Sequence, residues 1–475
     1  MQNNSTVQAL DIEQYPREMH APAFFFVGSL LHILAYQSIE PAILAIIFFT
    51  AGWALLNFSA LGGRFERAMF VSAFSVFWFM AGIAAIYATY MKDPSQLGAD
   101  AGHFFWRSTN SAGIELEQMM KLTEGSGAVV IWRAVYDTFA TLGFEKGRYV
   151  GILVNMFVVA FTGVIAVKMA RLLYGNDASR LNRLILLFSC CGMFWLFAAL
   201  HIRDAYALFI VTCLAYWWVL YLTKPNAQTL ILLIVISFTS SFLFSFIRAE
   251  MTSVPVGMFV SGLVAIYFGK KAQSSRNIIV SISVFSGIIF AVIYLPDLTV
   301  QLNQLIIGER SKYYQYADAG IKATNDSFGM SLILNQALPV RMVLGTLWIL
   351  IFPIPIWSGF QLETVYHLFK SFNAIFMYLL IPLVVLSLQR IYRFKIFRTP
   401  AILFCLFLIL GSTLAVISTS IETRHFGAFL VPLILVALLP DLKLEEERIA
   451  YKNYLLYFMC VIFIVHITWF VLKFS

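Results

Sequence analysis

Charge is what this chain has least of. Lys, Arg, Asp and Glu make up 12% of its 475 residues, about half the share of a soluble domain. That scarcity excludes an ordinary soluble enzyme, and it excludes disorder, whose signature is low hydrophobicity with high net charge. Cysteine is also scarce. Cys190, Cys191, Cys213, Cys405 and Cys460 all sit in apolar runs without metal-ligand spacing, so they read as small core residues and give no disulfide framework. No GxxxxGKS/T, no GxGxxG after a strand and no HExxH occurs, which speaks against ATP-driven transport by this chain alone. The first twenty residues lack a basic segment leading into a short apolar stretch. No cleavable signal is expected, and the first span would act as the targeting signal.

What the chain does have is hydrophobic residues, 60% of the total, and a mean hydropathy of +0.81. The expected fold class is all-α: a polytopic integral membrane helical bundle forming a single domain. A crossing helix needs about 20 apolar residues. Candidate spans are 22–37, 41–59, 68–91, 149–172, 184–200, 204–222, 229–246, 253–268, 277–295, 370–389, 400–419, 427–440 and 454–472, about thirteen in all. A further stretch, 339–358, is interrupted by Pro353 and Pro355 and reads as a broken or re-entrant segment. The excess of 33 basic over 25 acidic residues reports orientation before it suggests nucleic acid, and no nucleic-acid partner is expected. Arg64 and Arg67, then Lys168, Arg171, Arg180 and Arg183, then Lys270, Lys271 and Arg276, and finally Arg390, Arg393, Lys395 and Arg398 follow alternate spans. If these face the cytoplasm, the N-terminus does too, and two long loops, 92–148 and 296–338, face outward.

Against that frame the remaining ionisable residues stand out, because each costs about 2.5–3.5 kcal/mol at a helix centre on the insertion scale. They form five clusters, all on the outward side: GADAGHFFWR with Asp100, His103 and Arg107; HIRDAY with His201, Arg203 and Asp204; FIRAE with Arg248 and Glu250; ERSKYYQY with Glu309, Arg310, Lys312, Tyr313, Tyr314 and Tyr316; and IETRHF with Glu422, Arg424 and His425. Three of these are short turns with an Arg beside a carboxylate. Arg binds phosphate or carboxylate through two parallel hydrogen bonds, so several at one membrane face suit a lipid-linked diphosphate. An Arg beside an acid in a hairpin also serves as an internal ion pair fixing the turn. Arg133 and Asp137, four apart on an expected interfacial helix over 128–144, read as such a pair. No outward loop carries a DxD or ExD pair of the kind that anchors a metal for a sugar-phosphate donor, so no metal and no cofactor are expected.

In this order, GADAGHFFWRS, HIRDAYALFI, RSKYYQYAD and ETRHFGAFLVPLILVALLP resemble the Wzy/EpsG-type bacterial polysaccharide polymerases, relatives of the GT-C membrane glycosyltransferases. The resemblance runs over about residues 95 to 440 in short, degenerate motifs. It implies joining of oligosaccharide repeat units (O-antigen or exopolysaccharide) carried on undecaprenyl diphosphate, at the outer face of the bacterial inner membrane. The lipid-linked oligosaccharide would be both donor and acceptor, the bilayer the surroundings, and a chain-length regulator an open partner. It also implies that Asp100 matches the loop acid, Arg203 the hairpin arginine and Arg424 the late arginine. The chain departs from the pattern in having Asp204 after Arg203, where Gln is more usual, and His103 where Tyr is common.

Such a transfer needs preorganised cations for the leaving diphosphate; Arg203, Arg248, Arg310 and Arg424 are the candidates. It also benefits from a base for the attacking sugar hydroxyl. Asp100, Asp204, Glu250, His201 and His425 are candidates there, with Asp100 and Asp204 favoured. His103, His201, Glu250, Tyr313, Tyr316 and His425 are expected to contact sugar or headgroup. Two rivals remain: a GT-C-like transferase using a polyprenyl-phosphate sugar, and a flippase or transporter of lipid-linked oligosaccharide.

Overall fold

The structure is a computed structural model that describes residues 20–59, 62–90, 99–110, 126–269, 333, 336, 338–351, 356–361, 364–394, 396, 399–419 and 422–474. Every element among these residues is helical. That follows from the sequence: the polar backbone of an apolar segment, with no water to bond, must satisfy its own N–H and C=O groups, and a helix does so within one segment. Nine of the described helices are long and apolar enough to cross a membrane, or ten if one bent pair is a single span.

In chain order the α-helices are α1 (Ala21–Tyr36), α2 (Glu40–Phe58), α3 (Arg64–Tyr90), α4 (Ala99–Asn110), α5 (Ser126–Thr141), α6 (Arg148–Tyr174), α7 (Ala178–Ser189), α8 (Gly192–Ala199), α9 (Asp204–Thr223), α10 (Ala227–Ile247), α11 (Val254–Phe268), α12 (Leu338–Ile351), α13 (Val365–Arg393), α14 (Pro400–Thr419), α15 (Thr423–Gly427), α16 (Leu430–Ala437) and α17 (Glu445–Phe474). Single 3-10 turns lie at Ala249–Met251 and Ile356–Gln361. The bundle is built around α3, α6 and α9, which pack on one another or on α6. Of the apolar stretch of α6, 83% is buried in protein, against 11% for α17; α17 is thus a peripheral helix with an apolar surface facing outward. Small residues bring α1 and α3 together. A methyl group at Gly28 would lie 2.8 Å from the Trp78 ring, and one at Gly82 would lie 2.9 Å from Leu31.

The run 184–200 is broken: α7 and α8 meet at a 54° bend, the geometry of a broken span or of a re-entrant loop. The break stays satisfied because Asn373 of α13 accepts a hydrogen bond from the Met193 amide, 3.1 Å, one of the free N–H groups at a helix start. Other differences from expectation are local. The 22–37 run forms a 16-residue helix, α1. Over 427–440 the chain forms α16, eight residues long and fully buried, after a turn at 428–429; too short to cross, it is a core element. The expected span 277–295 lies outside the described residues. Of 339–358, α12 and the first part of a 3-10 turn are described. That turn packs on α13, and its Ile356 amide donates to Nε2 of His466 on α17, 3.0 Å.

The two ends of the bundle differ. At one end Arg171 pairs with Glu66, 2.5 Å, Arg183 donates to the carbonyls of Leu438 and Pro440, and Arg390 pairs with Glu447. These are residues from the basic sets that the sequence leads one to expect on the cytoplasmic side. The clusters around Asp100, Arg203, Arg248 and Arg424 meet at the other end, where α6 begins.

Candidate functional site

The site begins with a buried amide. Asn155, inside α6, donates to the carbonyls of Leu200 (2.9 Å) and Ile202 (3.0 Å), while its oxygen accepts from Trp132 Nε1, 3.0 Å. It thereby holds the tip Leu200–Arg203 between α8 and α9, and α9 can start at Asp204. His201 turns inward from this tip. It lies against Trp132, ring centroids 4.0 Å apart, with Tyr136 and Phe105 at 6.0 Å. Gly151 makes the room, since a Cβ there would come within 2.2 Å of the imidazole. Burial, reinforced by Arg148, pushes His201 down to about 3, so it is a neutral ring at physiological pH.

Arg203 and Asp204 point the other way, into an ion network. Arg248, which ends α10, pairs with Asp204 and with Glu250, 2.6 Å. Arg203 reaches the same Glu250 oxygen at 3.6 Å. Arg424 Nη1 meets Asp100 of α4 at 2.7 Å, a pair 324 positions apart in sequence. Arg424 also lies within electrostatic reach of Asp204 and Arg248, so the arginines of three separate turns converge. Apart from Arg248 with Glu250, which lie in one turn, the pairs run between turns and stitch them together. Burial opposes the charge on Arg248, but Asp204 and Glu250 outweigh it and raise its proton affinity. Arg424 is raised well above the ordinary value, against burial, by Tyr366, Asp204, Asp100 and Glu422. Burial, with Arg248 and Arg424 beside it, pushes His425 down to about 3.

A third group was missed by sequence reading. Lys370 and Tyr366 sit one turn apart near the start of α13, where Thr364 caps the helix by accepting from the His367 amide, 3.1 Å. Lys370 Nζ pairs with Glu422 at 2.7 Å, and the Tyr366 hydroxyl donates to the same oxygen, 2.8 Å. Lys370 Nζ lies 4.3 Å from the centre of the Tyr366 ring and the Arg424 guanidinium 5.9 Å from it. Burial would raise Glu422, yet Lys370, Arg424 and His425 hold its carboxyl below the usual range. A signal existed: a Lys at the very edge of the expected span 370–389 is costly unless paired. Asn155 gave a weaker one, as a lone amide within an apolar run.

The network described thus sets Arg203, Arg248, Lys370 and Arg424 against Asp100, Asp204, Glu250 and Glu422. Each of these carboxylates is paired with a cation, so an anion reaching Arg424 takes the place of Asp100. Asp100 is the most open of the four, with 52% of its side chain exposed, whereas Asp204 is 5% exposed. One oxygen of Glu250 and Nε of Arg424 are buried with no hydrogen-bond partner among the described residues.

The remaining expectations are placed differently. His103 is exposed on α4 beside Phe104, outside the network. His201 is enclosed among aromatic rings, while Asp204 opens α9 toward Arg248. Arg310, Tyr313 and Tyr316 lie outside the described residues. Arg133 and Asp137 form the expected i,i+4 pair at 3.5 Å, with Lys146 on the same carboxylate. Among the described residues no group of three or more His, Cys, Asp or Glu gathers as a metal-ligand set. The chain matches no protein-family model, no curated protein and no solved structure.

Proposed function

We propose that this chain is a metal-independent membrane glycosyltransferase that polymerises oligosaccharide repeat units carried on undecaprenyl diphosphate, at the outer face of a bacterial inner membrane. The observation that carries the reading is the convergence of Arg203, Arg248 and Arg424, from three turns far apart in sequence, at the bundle end opposite the basic-rich end. A diphosphate at the membrane surface presents the charge, depth and geometry that several guanidinium forks fit.

The residues divide the work as follows. Arg203 and Arg424 bind the diphosphate of the growing chain and carry the negative charge that develops as the anomeric C–O bond breaks. Arg248, clamped by Asp204 and Glu250 and 4% exposed, fixes the floor of the site. The diphosphate takes Arg424 from Asp100. Asp100, released and solvent-reachable, accepts the proton of the attacking sugar hydroxyl as its oxygen bonds to the anomeric carbon. Asp204 is a poorer base, because its carboxylate is held by Arg248. The long helices carry few charges along their length, while charge collects at the ends; a flippase would need it through the membrane depth.

The test is a gel of surface polysaccharide from a deletion strain complemented with wild type or Arg203→Ala. Polymerisation requires that the ladder collapse to single repeat units and that only wild type restore it at equal expression. Loss of even the single unit would point to the flippase or to an earlier transferase. An intact ladder in the deletion strain would remove the polymerase reading.

A further inference from the structure

Glu422 lies two residues from Arg424, and its carboxylate is within electrostatic reach of that guanidinium. Left to itself it would be a permanent counter-ion for the arginine that an anionic substrate must use. The structure engages it elsewhere. Lys370 takes Glu422 Oε1 at 2.7 Å and the Tyr366 hydroxyl donates to the same atom at 2.8 Å, while the Tyr366 ring stands beside both cations. Arg424 is thereby turned to Asp100, the half-exposed partner an incoming anion can replace. A buried Lys within a membrane helix is expensive, and a staple between α13 and the 422–427 turn could have been made from apolar side chains at no such cost.

We infer that Lys370 and Tyr366 are positioning residues that hold Glu422 away from Arg424 and so keep that arginine available for a diphosphate. This rests on the diphosphate reading of the site. It gives a role to residues outside the arginine clusters, and it predicts effects of opposite sign from the two halves of one ion pair. Removing Lys370 frees Glu422 to occupy Arg424 and weakens anion binding. Removing the charge of Glu422 leaves an additional cation and strengthens it.

The experiment measures binding of inorganic pyrophosphate to the full-length protein in nanodiscs, alongside melting temperature. Lys370→Met is expected to raise the Kd about tenfold, the size of one charge-assisted hydrogen bond. Glu422→Gln is expected to lower it, Lys370→Arg to restore binding, and the double variant Lys370→Met with Glu422→Gln to return near wild type. Tyr366→Phe keeps the ring and removes only the hydroxyl; it should weaken binding even if the Lys370 variant fails to fold. A merely structural pair predicts lower melting temperatures with one unchanged Kd throughout, and that result overturns the inference while leaving the diphosphate reading intact. Wild-type protein that binds no pyrophosphate overturns both.

Discussion

Two ion pairs in this molecule have the same chemistry and should differ widely in consequence. Arg133 and Asp137 are one turn apart on α5, with side chains 23% and 50% exposed. Asp137→Asn is therefore expected to change stability by less than about 0.5 kcal/mol and to leave activity intact, since solvent screens such a pair. Arg248 and Asp204 are 4% and 5% exposed. Arg248→Ala leaves a buried carboxylate without its partner and is expected to destabilise by about 3–5 kcal/mol, with loss of polymerisation. Thermal unfolding of both variants in one detergent checks the contrast; similar losses would mean that burial does not set the worth of these pairs.

At the scale of elements, the site depends on how helices end. The tip 200–203 has no side-chain cap at the start of α9, and its carbonyls are held instead by Asn155 from the middle of α6. Asn155→Leu leaves the Ile202 carbonyl and the Trp132 N–H unpaired, at about 1–3 kcal/mol for each buried group, while the Leu200 carbonyl keeps the Ile202 amide. The variant should melt earlier and lose activity together, because Arg203 sits on the loosened tip. An unchanged melting temperature would show that the tip is held by packing alone. The half-helices α15 and α16 follow similar logic. The sequence 427–440 is apolar enough for a span, yet α16 is buried against α13 and α14, and Arg183 takes the carbonyls beyond its end. Hydropathy reports burial without saying whether lipid or protein provides it.

The whole molecule should respond to acid in one direction. His201 and His425 titrate near 3 in the fold and near 6.5 when unfolded. Between those values the unfolded chain binds more protons, so folding stability falls as pH drops from about 6.5 toward 3. Glu422, whose carboxyl is held below the usual range, adds a loss of the same sign at the acid end: its contribution is full above the unfolded carboxylate value and disappears as pH falls further. Melting temperature measured from pH 8 to pH 4 in detergent should be level above about 7 and decline below it. A level profile down to pH 5 would contradict the buried, neutral state of these two rings.

The amino-acid sequence determined the all-α membrane architecture outright. Long apolar runs admit no other backbone solution in lipid, and Arg and Asp in short turns between them had to lie at span ends. It also placed Asp100 in a long loop and Arg203, Arg248 and Arg424 in separate turns, all on one expected side. Only the tertiary structure decided which acid meets which arginine. Sequence neighbours suggested Arg203 with Asp204, Arg248 with Glu250 and Arg424 with Glu422; the second pair is present, whereas Arg203 meets Glu250 and Arg424 meets Asp100. Electrostatic pairing acts over a few ångströms between side-chain tips, and those distances are set by helix packing, which brings together positions hundreds of residues apart. For the same reason Lys370 and Tyr366, whose partner could not be read at the edge of one apolar run, become part of the site once α13 packs beside the 422–427 turn.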